Sequence, residues 1–227
     1  MVVFLYKKNK ILAIIPARKG SKGVKEKNIR LVKNKPLIEW TLELAGSINY
    51  FDKVVVSSDC KKIKKITQKH KIDFIDRPKI ISSSTAKTDD VLIHTIDYLE
   101  RKELYFDYIV TLEPTSPLRK KETVVKSIKK AVNKKLDSLI SVKVNQELIG
   151  ELINDKFIPR LNQKARRRQE RKSYFSETGV SYITNVNFLK KKKKMISKRT
   201  GFLIVDSKES VDINDEIDLK LANLLIT

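Results

Sequence analysis

Apolar residues recur along this chain in two rhythms. Ile11-Leu-Ala-Ile-Ile15 is a continuous aliphatic run closed by Pro16, and Val54 to Val56, Ile72 to Ile75, Tyr108 to Leu112, Leu139 to Val144 and Phe202 to Val205 are of the same kind. Runs without polar alternation suit strands covered on both faces, as in a parallel sheet. Helical periods lie between them. Pro36 can open a helix whose apolar face is Leu37, Ile38, Trp40, Leu44 and Ala45, and the run from Thr88 repeats Val91, Leu92, Thr95, Ile96, Tyr98 and Leu99. Val124, Val125, Ile128, Ala131 and Val132 mark a third helix, and Ile217, Leu221, Leu224 and Leu225 a fourth. Strands alternating with helices predict right-handed βαβ units, hence an α/β fold with a doubly wound, mostly parallel sheet. Such sheets bind ligands beyond the carboxyl ends of their strands.

One stretch breaks the rhythm. From about Asn145 to Arg199 the chain is polar, Arg-rich and weakly periodic around a strand-like Val180 to Ile183. It reads as an arm inserted into a single domain spanning 1–227, serving a partner subunit or acting as a substrate lid.

Composition adds charge to this picture. Of 227 residues, 49 are Lys or Arg against 27 Asp or Glu, a formal net charge of +22, which calls for an anionic partner. Lys is scattered over nearly every segment, which fits a general surface composition; the concentrated exceptions are Arg166 to Arg168 with Arg171, and Lys190 to Lys194. A nucleic-acid-binding protein would use those runs, but it would also need aromatic stacking platforms beside them, and only Tyr174, Phe175 and Phe188 offer themselves. The single Cys60 excludes an intramolecular disulfide and fits a reducing compartment. The longest apolar stretches fall far short of the roughly 20 residues that span a bilayer, and Met1 to Tyr6 is followed, not preceded, by lysines, the reverse of a signal peptide. A soluble, cytoplasmic protein without membrane or nucleic-acid partners is expected.

The loop after the first strand, from Pro16 to Asn28, carries Arg18, Gly20, Ser21, Lys22, Gly23 and Lys27. Glycines allow backbone N–H groups to turn inward, Arg offers a bidentate fork and Lys a point charge, so this is a phosphate cradle by chemistry. It is neither GxxxxGK[ST] nor GxGxxG. A solvated basic loop explains the lysines but not Arg18 directly behind a buried strand. His70 and His94 fall in helical segments, where packing or surface roles outweigh catalysis, and neither is nominated.

These residues, with Leu112-Glu113-Pro-Thr-Ser-Pro-Leu-Arg119, Arg168-Gln169 and Ser210-Val-Asp212-Ile-Asn214 in that order, resemble the motifs of the CMP-sialic acid synthetases, the acylneuraminate cytidylyltransferases. The resemblance runs from about Ile11 to Leu225. It implies a Rossmann-like nucleotidyltransferase that moves CMP from CTP to the anomeric hydroxyl of a nine-carbon acidic sugar, releasing pyrophosphate with Mg2+, as a homodimer. Arg18, Ser21, Lys22 and Lys27 would face the triphosphate as catalytic residues. Ala17, Gly20, Gly23 and Asn28 would add nucleotide contacts, and Arg77 and Thr88 fall where the family contacts cytosine. A helix-capping role for Thr88 is the plainer alternative.

In the resembling family two aspartates spaced two apart hold the metal. Here they are Asp212 and Asn214, so either Asp215 substitutes or Asp212 holds one ion alone; Asn214 also sits where it could cap the last helix. Sialic acid enzymes usually carry Gln where Glu113 stands. The carboxylate looks more like the legionaminic acid branch, accepting hydrogen bonds from hydroxyl or acylamino groups, with Thr115 and Ser116 beside it and Arg166, Arg168 and Gln169 left to hold the sugar carboxylate. A catalytically silent structural dimer is the remaining alternative, raised by Asn214.

Overall fold

The computed structural model describes residues 8–21, 23–159 and 167–226; Lys22 and Arg166 lie outside them. Eleven strands and six helices occur among the described residues: β1 Ile11–Pro16, β2 Leu31–Val32, β3 Lys35–Pro36, α1 Leu37–Gly46, β4 Lys53–Ser58, α2 Lys61–Lys69, β5 Asp73–Asp76, α3 Thr88–Glu100, β6 Tyr108–Thr111, α4 Lys121–Asn133, β7 Ser138–Asn145, β8 Gly150–Ile153, β9 Lys156–Pro159, β10 Tyr174–Asn185, α5 Val186–Lys192, β11 Gly201–Ile204 and α6 Glu216–Leu225. Seven strands form one sheet in the order β11-β7-β10-β6-β1-β4-β5. Pairs β1–β4, β1–β6, β4–β5 and β7–β11 are parallel, while β10 is antiparallel to both β6 and β7. The doubly wound, mostly parallel sheet is as expected.

Strand β1 shows why the aliphatic runs were legible. Ile11, Ala13 and Ile15 join one buried cluster with α1, α2 and α4, whereas Leu12 and Ile14 join a second with α3 and α5. Each large side chain buried this way stabilises the fold by about 2 kcal/mol. A third cluster seats α6, through Leu219 and Ala222, on Val32, Leu37 and Ile213. Asp215, not Asn214, caps this helix: its side chain accepts from Ile217 N and Asp218 N in a capping box with Asp218. At α3 the cap position is Lys87, and Thr88 is the first helical residue.

The excursion expected over 145–199 is shorter at its end. Residues 174–185 form β10, inside the main sheet, and α5 packs behind it. Ser176, Thr178, Ser181 and Thr184 disguised this strand, but two of its buried hydroxyls find partners: Ser181 Oγ donates to Ser127 Oγ at 3.1 Å and Thr184 Oγ1 to Met195 O at 2.8 Å. What projects from the body is the hairpin β8–β9, turned by Asn154 and Asp155, both at positive φ (47° and 59°), as a two-residue type I′ turn requires.

Candidate active site

A cleft of about 190 Å3 opens beyond the carboxyl ends of β1 and β6, lined among others by Arg18, Gly20, Ser21, Lys27, Asn28, Arg77, Thr88, Glu113 and Thr115. Nine nominated residues, far apart in sequence, therefore meet at one opening. The loop after β1 is braced from both sides. Ala17, buried, extends the β1–β4 pairing by donating its N–H to Ser57 O at 3.0 Å, Lys19 N donates to Asp59 Oδ1 at 2.7 Å, and Asn28 Nδ2 donates back to Arg18 O at 3.0 Å. Arg18 itself makes one long bond, Nη1 to Ser83 O at 3.4 Å. Glycine freedom is not used as a left-handed turn here, since no described glycine has positive φ. Gly23 instead permits close approach: a Cβ there would lie 1.9 Å from Asn214 O, pinning the loop to the chain leading into α6.

Arg77 reaches the cleft from the end of β5 with its guanidinium tethered, Nη2 to Ser57 O at 2.6 Å and Nε to Ser57 Oγ at 3.3 Å. Burial lowers it to about 10, opposed by Asp59, so it stays charged at neutral pH. Thr88 and Val91 of α3, with Ile81, Ser83 and Ala86, complete that wall.

The opposite wall is the turn after β6. Ile213, fully buried, binds the chain to it: Ile213 N donates to Thr115 O at 2.8 Å, and Lys27 Nζ donates to Ile213 O at 2.5 Å. Lys27 and Asp212 thus stand beside Glu113. Burial, then the Asp212 carboxylate, pushes Glu113 up to about 7. Lys27 is lowered by burial, with Asp212 and Glu113 opposing. Ser116 is buried behind the turn, with its Oγ unpartnered. Asp212 Oδ1 is likewise shut from water without a partner, while its Oδ2 accepts from Asn214 Nδ2 at 2.9 Å. An orphaned carboxylate oxygen beside a cationic cleft fits the hard oxygen ligand that magnesium takes. Asp215 is engaged in the helix cap. Arg168 and Gln169 sit in an exposed 3-10 turn and are not among the residues lining the cleft.

Arg119, the last residue of the Leu112–Arg119 motif, has no site role in the sequence reading, and the structure gives it one. Its buried guanidinium donates through Nη2 to Glu113 O at 2.7 Å and Gly179 O at 2.9 Å, through Nη1 to Thr41 Oγ1 at 3.3 Å, and through Nε to Val180 O. It ties the Glu113 turn to the place where β10 slips register between Thr178 and Tyr182. The available signal was a lone arginine closing the otherwise uncharged stretch from Pro114 to Leu118. Arg119→Met should cost about 3 kcal/mol or more in urea unfolding, because three buried carbonyls lose their donor. A cost under about 1 kcal/mol would show the lattice of bonds to be dispensable.

Comparison with known proteins bears on this cleft. A family model described as Cytidylyltransferase matches residues 12–210. This chain belongs to that family. It is 30% identical over 230 residues to a CMP-N,N'-diacetyllegionaminic acid synthase of Legionella pneumophila, covering 96% of both chains. To the post-translational flagellin modification protein B of Campylobacter coli it is 30% identical over 227 residues, 96% of this chain and 95% of the relative. An N-acylneuraminate cytidylyltransferase of Escherichia coli is 28% identical over 95% of this chain, which spans only 52% of that relative's length. Among solved structures, a CMP:2-keto-3-deoxy-manno-octonic acid synthetase complexed with CTP superposes with a TM-score of 0.71 at 15% identity over 95% of this chain and 98% of the other. The nucleotidyltransferase fold is thereby shared. No helix among the described residues is long and apolar enough to cross a membrane.

Proposed function

We propose that this cytidylyltransferase joins CMP from CTP to the anomeric hydroxyl of a nonulosonic acid of the legionaminic or sialic type, releasing pyrophosphate, in the cytoplasm. The observation that carries the reading is the cleft itself, where a cationic loop behind β1 faces a polar turn behind β6 across a space lined by Arg77 and Thr88. In the reaction a sugar oxygen forms a bond to the α-phosphorus, the bond from that phosphorus to the bridging oxygen of pyrophosphate breaks, and the hydroxyl proton is lost to solvent. Protein groups have little covalent work to do; they hold the reactants in line and neutralise charge. Arg18, Ser21, Lys22 and Lys27 take the β and γ phosphates, with Ala17, Gly20, Gly23 and Asn28 shaping the loop. Arg77 and Thr88 take the cytosine. Thr115, Ser116 and Glu113 border the sugar, and Arg168 and Gln169 are free to reach a sugar carboxylate, on the same chain or a second copy.

Asp212 would hold magnesium, oriented by Asn214. Bound there, the ion would supply positive charge to the triphosphate. Support for a homodimer comes from apolar side chains left exposed around one end of the sheet: Leu152 is 82% exposed, and Val144, Phe157, Phe175, Phe202 and Ile204 are about half exposed. Light scattering should return twice the chain mass of 26.3 kDa, and a monomer at all concentrations would remove the second copy.

The activity is tested by pyrophosphate release from CTP with a panel of acid sugars. Turnover is expected only with both substrates, faster with a 5,7-diacylamido acid than with N-acetylneuraminic acid. No release with any nonulosonic acid would overturn the proposal.

A further inference from the structure

Asp212 has one oxygen explained by the fold and one that is not. Asn214 occupies Oδ2, whereas Oδ1 turns toward Gly179, where it has no partner. A Cβ built on Gly179 would stand 3.4 Å from Asp212 Oδ1, 3.5 Å from Glu113 Oε2 and 2.7 Å from Ser116 Oγ. Three oxygens, two from the turn after β6 and one from the loop before α6, thus surround one spot on β10 kept clear of side chain. Ser116 is only 1% exposed, and its hydroxyl, aimed at that spot, has no partner either.

Folding alone does not favour this arrangement. A buried unpaired hydroxyl costs about 1–3 kcal/mol, and two carboxylates gathered away from water repel each other. Lys27 feels both carboxylates, yet it gives its hydrogen bond to Ile213 O, and no ion pair from it to either carboxylate occurs among the described residues. The pair is held in place by other means. Ile213 N bonds Thr115 O, joining the two segments, and Arg119 anchors both the Glu113 and Gly179 carbonyls.

An all-oxygen set with two carboxylates suits a small, hard divalent cation that keeps its remaining positions for water or phosphate. No group of three or more His, Cys, Asp or Glu that could hold a metal occurs among the described residues, so such an ion would be only partly enclosed. We propose that Glu113 supplies the second carboxylate of the cation site, Oε2 sharing one divalent ion with Asp212 Oδ1, with Ser116 Oγ at its edge and Asn214 orienting Asp212 rather than ligating. The other Glu113 oxygen stays available to the sugar. This inference rests on Asp212 being a ligand, and its test separates the two.

Mn2+ titration of the full chain without nucleotide, read by electron paramagnetic resonance, is compared for wild type, Glu113→Gln, Asp212→Asn and Asn214→Ala. Glu113→Gln and Asp212→Asn should each weaken Mn2+ binding at least 10-fold, and Asn214→Ala by less than either. Thermal unfolding with Mg2+ and with EDTA gives an independent readout: Mg2+ should raise the Tm of wild type and leave that of Glu113→Gln unchanged. Wild-type Mn2+ affinity in Glu113→Gln, with loss in Asp212→Asn, would overturn the inference and leave Asp212 as a ligand. Unchanged binding in both, or none in wild type, would overturn both readings. Should Glu113→Gln fail to fold, Glu113→Ala is judged by the same two readouts.

Discussion

Arg18→Ala should lower kcat/KM for CTP at least 100-fold, a loss of about 2.7 kcal/mol in transition-state stabilisation, while the unfolding midpoint stays within a few degrees of wild type. The two halves of this expectation have separate causes. Arg18 lines the cleft, and its guanidinium makes a single 3.4 Å bond to Ser83 O, so little of the fold depends on it. Its backbone is what the structure uses: Arg18 O accepts from Asn28, and Ala17 N continues the β1–β4 pairing. Alanine keeps both. What is removed is a fixed positive fork where charge grows on departing pyrophosphate, the kind of preorganised group whose loss costs two to three orders of magnitude. Arg18→Lys should fall between, because a point charge replaces a bidentate one. Steady-state pyrophosphate release is the measurement, and near-normal turnover in Arg18→Ala would remove the residue from the site.

The same residues show what a sequence can reveal. Arg18 was visible because a charged side chain directly follows a run buried on both faces, which places it at a sheet edge whatever the rest of the fold. Helix α2 was much harder to see: its apolar stripe is Ile63 and Ile66 among Lys61, Lys62, Lys64, Lys65 and Lys69, too thin for a period to stand out. Strand β10 was hidden differently. Its buried Ser181 and Thr184 hydroxyls are satisfied by Ser127 and Met195, partners that lie outside the strand. Arg119 and Gly179 belong to this class as well, since a buried guanidinium matters for the three carbonyls it gathers, and a glycine for the oxygens around it. Asp212 and Asn214 were visible as a pair, but not that the amide of one would lie on the carboxylate of the other.

That last contact leads to the second large effect. Asp212→Asn should reduce turnover by about three orders of magnitude, roughly 4 kcal/mol, without rescue by tenfold more Mg2+. The substitution preserves shape, so Ile213 can keep its bonds to Thr115 and Lys27, and the capping box at Asp215 is untouched. Stability should hold or rise in EDTA, because a carboxylate raising the cost of ionising its neighbour Glu113 is gone. A structural role predicts the opposite pair of results: lower Tm with partial activity. The distinction is sharp because the unpartnered Oδ1 contributes nothing to the fold as it stands, so a group kept there at a desolvation cost is explained by what it binds. Full activity in Asp212→Asn would exclude it as a cation ligand, and with it the electrostatic account of how the triphosphate is held.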